Sequence, residues 1–332
     1  MFILLCKLFF AFFYLILFLT SFIQEKWVNL PKEEIKGRRD FLTKISLGLT
    51  AIPFSSLIYG MVKTAFDFKL HTIHYSNSKI PKSFDGFKIV QISDIHTGSL
   101  HNSHQLEKAI EVILKQKADL IVFTGDLVNN TSDEAIYFID ILKSIKAPYG
   151  VFSILGNHDY GDYYNWPNEE EKRKDFEQMI QIHKSLDWNL LRNESVIIKK
   201  DNEQFTLIGV ENWGANLHFK KYGDLSKALE GIDKESFQIL LSHDPSHWNK
   251  EVLTKYPSID LTLSGHTHGF QFGIEIPGFI KWSPSKYIYP HWAGMYRRKH
   301  QNLYVNRGLG CLGYMGRIGI KPEITLIQLH KS

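Results

Sequence analysis

The 332-residue chain has only two cysteines, Cys6 and Cys311, too few for a disulfide framework or a four-cysteine zinc site. Its charge excess is small, 39 Lys+Arg against 35 Asp+Glu, and gives no reason to expect a nucleic-acid partner. With 44% hydrophobic and 22% charged residues it is no disordered polyelectrolyte. It has no internal repeat and no low-complexity tract. No GxSxG nucleophile elbow or P-loop lysine motif is present, which removes serine hydrolases and P-loop NTPases. Gly308-Leu309-Gly310-Cys311-Leu312-Gly313 has the spacing of a dinucleotide fingerprint, but Lys321-Pro322 follows too soon for a βαβ unit. The segment therefore reads as a loop, with Arg307 at its start as a candidate phosphate contact.

What is abundant is apolar sequence at the front. Residues 2–23 are broken only by Lys7, Thr20 and Ser21, and hold eight aromatics with no polar face. About 20 such residues span the hydrocarbon of a bilayer, and Lys7 is near enough to the end to snorkel. No small-x-small cleavage site follows. A second uncharged run, residues 45–62, comes directly after Gly37-Arg38-Arg39-Asp40-Phe41-Leu42-Thr43-Lys44. That stretch is similar to a twin-arginine export signal, and it reads equally as the basic flank of a second anchor helix. Lys26, Lys32, Lys36, Arg38, Arg39 and Lys44 lie between the runs and should keep that loop cytoplasmic. Everything after residue 63 would then lie on the extracytoplasmic side of the cell membrane. Residues 1–44 hold seven Lys/Arg and four Asp/Glu, so +3 of the net +4 belongs to this region and reflects membrane orientation. Residues 1–63 are expected to form the membrane segment, 64–84 a connector, and 85–332 one catalytic domain.

In that last part, β-branched runs alternate with amphipathic segments. Strands are expected at 87–93, 120–124 and 151–155, with helices at 104–117, 133–144 and 169–185 between or after them. Further apolar runs stand at 196–198, 205–210, 237–241, 261–263, 303–305 and 324–329. This alternation indicates a layered α/β domain. Five of the runs end in polar clusters: Asp94-Ile95-His96, Gly125-Asp126, Gly156-Asn157-His158-Asp159, His243-Asp244 and Gly265-His266-Thr267-His268. Carboxylates, imidazoles and an amide oxygen are donors for divalent metals, and strand ends are where open α/β sheets bind ligands. In Asp-x-His and His-x-His, an extended backbone would point both donors the same way. Of the fifteen histidines only five fall in these clusters, though His101 follows the first closely enough to reach it as a substrate contact. Residues 279–298 are rich in Trp, Tyr and cations, which suits a loop over the core, a membrane interface or a lipid substrate.

The ordered set D-x-H, G-D, G-N-H-[DE], H, G-H-x-H resembles the calcineurin-like metallophosphoesterase superfamily over residues 85–330. Within it, the chain looks close to the membrane-anchored YkuE-like phosphodiesterase branch. Phe270 stands where many of those relatives carry a glycine. The resemblance implies an α/β fold, a layered α/β/β/α metallophosphoesterase sandwich, here preceded by N-terminal membrane helices. It also implies a centre of two divalent metal ions (Mn, Fe or Zn). Asp94, His96 and His268 would hold one ion, Asn157, His243 and His266 the other, and Asp126 would bridge both. His158 would face the scissile phosphate instead of a metal. Asp159 and Asp244 would orient the imidazoles, or simply cap the turns in which they stand.

The implied reaction is hydrolysis of a phosphodiester or phosphomonoester by water ionised between the two metals, with His158 protonating the leaving group. A narrower alternative is a pyrophosphatase similar to the UDP-2,3-diacylglucosamine hydrolases of lipid A synthesis, whose substrate is a nucleotide-linked lipid. A non-enzymatic alternative is a metal-stabilised membrane scaffold or binding module, which would have no use for His158. The expected partners are a phosphate-ester substrate, including a lipid or nucleotide-linked lipid, and the membrane, with no nucleic acid.

Overall fold

The computed structural model of the chain describes residues 2–28, 32–100, 102–216, 220–276 and 278–332. It divides into two compact units, Met1–Thr64 and Ala65–Ser332. The first unit consists of helices α1 (Phe2–Val28) and α2 (Lys32–Val62), packed against each other. Large apolar side chains such as Leu8, Phe12, Ile23, Phe41 and Ile52 point outward from them, as suits lipid better than water. Among the described residues, the helical stretch Asp40–Phe66 is long and apolar enough to cross a bilayer, while the apolar helix Lys7–Ile23 is shorter. Helix α2 begins in the basic stretch, well before the apolar run at 45, because no proline interrupts Lys32–Lys44.

Among the described residues, the second unit is built on fourteen strands. The first seven are β1 (Lys69–Asn77), β2 (Lys88–Ile92), β3 (Leu120–Phe123), β4 (Val151–Ser153), β5 (Asn189–Leu190), β6 (Glu194–Lys200) and β7 (Glu203–Gly209). The rest are β8 (Gln238–Leu241), β9 (Leu261–Ser264), β10 (Ile274–Ile276), β11 (Ile280–Trp282), β12 (Gly294–Arg298), β13 (Gln301–Val305) and β14 (Glu323–Lys331). One six-stranded sheet has the order β1-β14-β2-β3-β4-β5 and a second the order β12-β13-β9-β8-β7-β6. Strands β10 and β11 form a separate hairpin.

Alternation along the strands shows how the layers stack. In β2 and β3, Ile89, Leu120 and Val122 pack against Leu207, Ile239 and Leu263 of the other sheet. Their neighbours Val90, Ile92, Ile121 and Phe123 turn outward to helices α3 (Ser103–Lys115) and, later in the chain, to the segment around Met179. On the far side of the second sheet, Ile208, Leu240 and Leu303 pack on Trp248 and Leu225. Both faces of each central strand are covered, so β3 reads as an unbroken apolar run in the sequence and its neighbours as mostly apolar ones. The result is the layered α/β arrangement that the spacing of strands and helices predicts.

Residues 64–84 are not a connector. Strand β1 pairs in parallel with β14 along all 9 of its residues, and Ile80 and Phe84 are buried between the sheets. The sequence hides this strand because it lies at a sheet edge, where His71, Thr72 and His74 are tolerated among its apolar residues. The helix expected at 133–144 is two single turns, α4 (Asp133–Ile136) and α5 (Ile139–Leu142), whereas α6 (Glu169–Ser185) has the expected limits. Asn168 caps α6 by accepting from the Glu171 amide.

Candidate metal centre

The seven candidate donors stand just past the carboxyl ends of neighbouring parallel strands. Asp94 and His96 follow β2, Asp126 follows β3, and Asn157 follows β4 in one sheet. His243 follows β8, and His266 and His268 follow β9, in the other. The backbone there is not extended, as the Asp-x-His and His-x-His spacing suggested. Asp94, His96, Asp126, His266 and His268 all have φ between 46° and 73°. This left-handed conformation costs a non-glycine residue roughly 1–2 kcal/mol, and it turns the chain sharply at each strand end. Bonds across the strand ends hold it, with the Asp94 amide donating to the Gly125 carbonyl at 2.8 Å and the His96 amide to Asp126 at 3.2 Å.

The glycines in the motifs have a spatial reason. A Cβ at Gly156 would lie 2.2 Å from Asp126 Oδ1, and one at Gly265 would lie 2.0 Å from Ser93 Oγ and 2.2 Å from Asp94 Oδ2. Only a residue without a side chain lets the loops close this tightly on the carboxylates.

Two buried donor groups result that could each hold a metal ion: Asp94, His96 and His268, and Asp126, His243 and His266. In the first, His268 Nε2 is 3.1 Å from His96 Nε2 and 3.3 Å from Asp94 Oδ1. In the second, His243 Nε2 is 3.1 Å from Asp126 Oδ2 and 3.3 Å from His266 Nδ1. Asn157 Oδ1 joins the second group, 2.8 Å from His266 Nδ1. Asp126 Oδ2 also lies 3.6 Å from His96 Nε2, so one carboxylate oxygen stands between the groups.

Bonds behind the rings decide which nitrogens face inward. His96 Nδ1 lies 3.0 Å from the Val128 carbonyl and His243 Nδ1 lies 2.7 Å from that of Thr124. A carbonyl only accepts, so both Nδ1 atoms carry protons and both Nε2 lone pairs point at Asp126. Lone pairs facing a carboxylate need a cation or extra protons between them. Burial, the largest single influence, would lower the His243 imidazole, but Asp126, Asp94 and the Thr124 carbonyl together more than offset it, pushing His243 up to about 10. Burial raises Asp94, while at Asp126 the positive charges of His243 and His158 outweigh burial and hold it well below the usual range. The donor set is one that divalent cations fit.

His158 stands outside both groups. Its amide donates to Asp126 Oδ1 at 2.9 Å and its Nδ1 donates to the Asn129 carbonyl at 2.6 Å. The ring packs edge-on to His96 at 5.1 Å and against Tyr163 at 4.7 Å. Asp159 does not orient imidazoles; its carboxylate accepts from the amides of Asp126, Leu127, Val128 and Gly156, and so shapes the loop that presents Asp126. Asp244 accepts from the Ser246 amide at 2.7 Å and lies 3.7 Å from His266 Nε2, too far for a hydrogen bond. Tyr289 fills that place, with its hydroxyl 2.7 Å from His266 Nε2.

Arg307 does not offer its guanidinium to a phosphate. It is buried and ion-paired to Glu323 and Glu275, because the loop carries it toward β14. His101 lies outside the described residues. Two residues near the centre had no signal in the sequence. Tyr289 was hidden among the aromatics of 279–298. Arg317, fully buried, places Nη2 against His268 Nδ1 at 3.3 Å and donates to the carbonyls of Gly308 and Gly310. It has no carboxylate partner among the described residues, which makes it a fixed positive charge behind the first donor group.

The family model for calcineurin-like phosphoesterases matches residues 87–270, more than half of the chain and all of these clusters. The chain belongs to that family. A second family model, for a probable calcineurin-like phosphoesterase transmembrane domain, matches residues 1–65. The chain is 34% identical over 271 residues to the uncharacterized metallophosphoesterase YkuE of Bacillus subtilis (strain 168), covering 79% of this chain and 85% of that one. It is 29% identical to a Danio rerio transmembrane protein with a metallophosphoesterase domain, covering 87% of this chain and 63% of that one. The protein is thus a membrane metallophosphoesterase, a metal-dependent hydrolase of phosphate esters.

Proposed function

We propose that this protein hydrolyses a phosphodiester or phosphomonoester at a centre of two divalent ions. Asp94, His96 and His268 would bind one, Asn157, His243 and His266 the other, and Asp126 both. The observation that carries this reading is Asp126 Oδ2 standing 3.1 Å from His243 Nε2 and 3.6 Å from His96 Nε2, with both imidazoles turned lone-pair inward. When bound, two such ions neutralise phosphoryl charge and lower the pKa of water so that it can attack.

The chain's own residues supply the rest. His158 is locked by its Nδ1 proton on the Asn129 carbonyl, which leaves Nε2 to meet the phosphate and protonate the departing oxygen. Tyr289 holds the His266 ring from behind, and Asp159 keeps the β3 loop closed on four amides. The segment 1–63 would anchor the chain in the cell membrane, and the basic residues between the apolar runs favour an extracytoplasmic catalytic unit.

The test is metal analysis of the purified full chain, with turnover of bis-p-nitrophenyl phosphate compared against p-nitrophenyl phosphate. Turnover that rises with metal loading supports the reading, and turnover by metal-stripped protein contradicts it. A reporter fused to the C-terminus reads the side of the membrane. A cytoplasmic signal would refute the proposed orientation.

A further inference from the structure

The hairpin β10–β11 is built inside out. Its register pairs Ile274 with Trp282, Glu275 with Lys281, and Ile276 with Ile280. Side chains alternate across a strand, so Glu275 and Lys281 share one face while Ile274, Ile276, Ile280 and Trp282 share the other. The charged face is tied to the body of the unit: half-buried Glu275 pairs with the buried Arg307, and Lys281, itself exposed, donates from Nζ to the Ala293 carbonyl. The apolar face turns out, with Ile274 49% and Ile276 51% exposed, and Phe279 at the tip 84% exposed. Tyr287 and Ile288, which follow the hairpin closely in the chain, are exposed too. Phe270 is held in the left-handed region at φ 53° and still presents its ring to solvent. Apolar groups clustered in this way on a surface mark a contact site.

Chain connectivity says what the contact is with. The apolar helical stretch ends at Phe66, and β1 begins at Lys69. Three residues reach about 10 Å at most, little more than the depth of a headgroup layer. Lys69 and His71 line a cleft of about 520 Å³ together with Ile276, Phe279 and Ile280 of the hairpin. The hairpin tip therefore lies beside Lys69, three residues along the chain from the end of the apolar stretch. Exposed Lys63, Lys69 and Lys286 suit anionic headgroups, and Tyr287 is an aromatic of the kind found at bilayer interfaces.

We propose that the apolar face of Ile274–Trp282, with Tyr287 and Ile288, docks onto the bilayer surface that holds this chain. The proposal rests on the membrane-anchored reading above. His266 and His268 precede this hairpin in the chain and Tyr289 follows it, so docking would bring the metal centre toward the headgroup layer, where the phosphate esters of lipids lie.

The test uses the full chain in vesicles of phosphatidylcholine and phosphatidylglycerol, with the photo-crosslinker p-benzoylphenylalanine in place of Phe279 or, as a control, of Asp201 in the β6–β7 turn. The expected result is a lipid adduct at position 279 several-fold above that at 201. Equal adducts at the two positions, or crosslinks at 279 to a second copy of the chain, would overturn it. Turnover of bis-p-nitrophenyl phosphate in the same vesicles is read separately. Lipid adducts without turnover would remove the catalytic reading alone, and turnover without adducts would remove the docking surface alone. The double variant Ile276→Glu/Phe279→Glu should keep turnover of that soluble ester and lose several-fold in hydrolysis of vesicle-borne phosphate esters. Equal loss on both would count against docking.

Discussion

His243 Nε2 and Asp126 Oδ2 face each other at 3.1 Å, while the other nitrogen of that imidazole already donates to the Thr124 carbonyl. The contact is a hydrogen bond only when His243 is imidazolium, and Asp126 raises its pKa to about 10 against the lowering effect of burial. A metal must displace that proton. Metal affinity should therefore rise with pH throughout the neutral range, with at least one proton released on loading. Calorimetry of metal binding in buffers of different ionisation enthalpy measures this, and binding without proton release would contradict it.

His158 and Asp126 should separate in their effects. His158→Ala should retain the metals and lose ~10²–10⁴-fold in turnover, the usual worth of a positioned acid. Asp126→Ala should lose at least one of the two ions. Metal content and turnover measured on the same preparations decide this. Loss of both metals in His158→Ala would make His158 a ligand, and full metal content in Asp126→Ala would end its bridging role.

Tyr289→Phe removes only the hydroxyl at 2.7 Å from His266 Nε2. Partners of metal-bound histidines are commonly worth about 10–100-fold in metal affinity or activity. We expect a loss in that range, with the melting temperature nearly unchanged. Unaltered metal titration and turnover would show that the hydroxyl does not support the ring.

The ion pair of Glu323 with Arg307 should dominate acid stability. Burial, the largest single influence, would raise the Glu323 carboxyl, but Arg307 together with His71, Thr325 and Tyr304 more than offsets it and brings it to about 2 from an ordinary 4.5. A depressed carboxyl contributes stability that is fully present above pH 4.5 and is lost as pH falls toward 2. The shift corresponds to roughly 3 kcal/mol. Glu323→Gln should lower the melting temperature at neutral pH and flatten its fall through this acid range. A variant that loses stability on acidification as steeply as the parent would contradict the assignment.

The catalytic core was legible because its strands are covered on both faces. Leu120–Phe123 and Ile239–Leu241 read as short apolar runs, and the polar residues at their ends stand out. Strand β1 was not legible, since an edge strand tolerates His71, Thr72 and His74. The donor clusters could be read as types and spacings, but the left-handed turns that gather them could not. Local spacing suggested extended chain at Asp94 and His96, and long-range closure on Gly125 and Asp126 prevails. Arg307 was misread because its partners, Glu275 and Glu323, are brought to it only by the fold. Tyr289 and Arg317 approach the centre from loops with no motif of their own, so no spacing could point to them.

The most direct test of the central claim is anomalous diffraction from metal-loaded crystals of the full chain, collected at the absorption edge of the bound metal. Two peaks about 3.5–4 Å apart are expected. One should lie among Asp94, His96 and His268, the other among Asn157, His243 and His266, with Asp126 between them. A single peak, or peaks away from these residues, would contradict it.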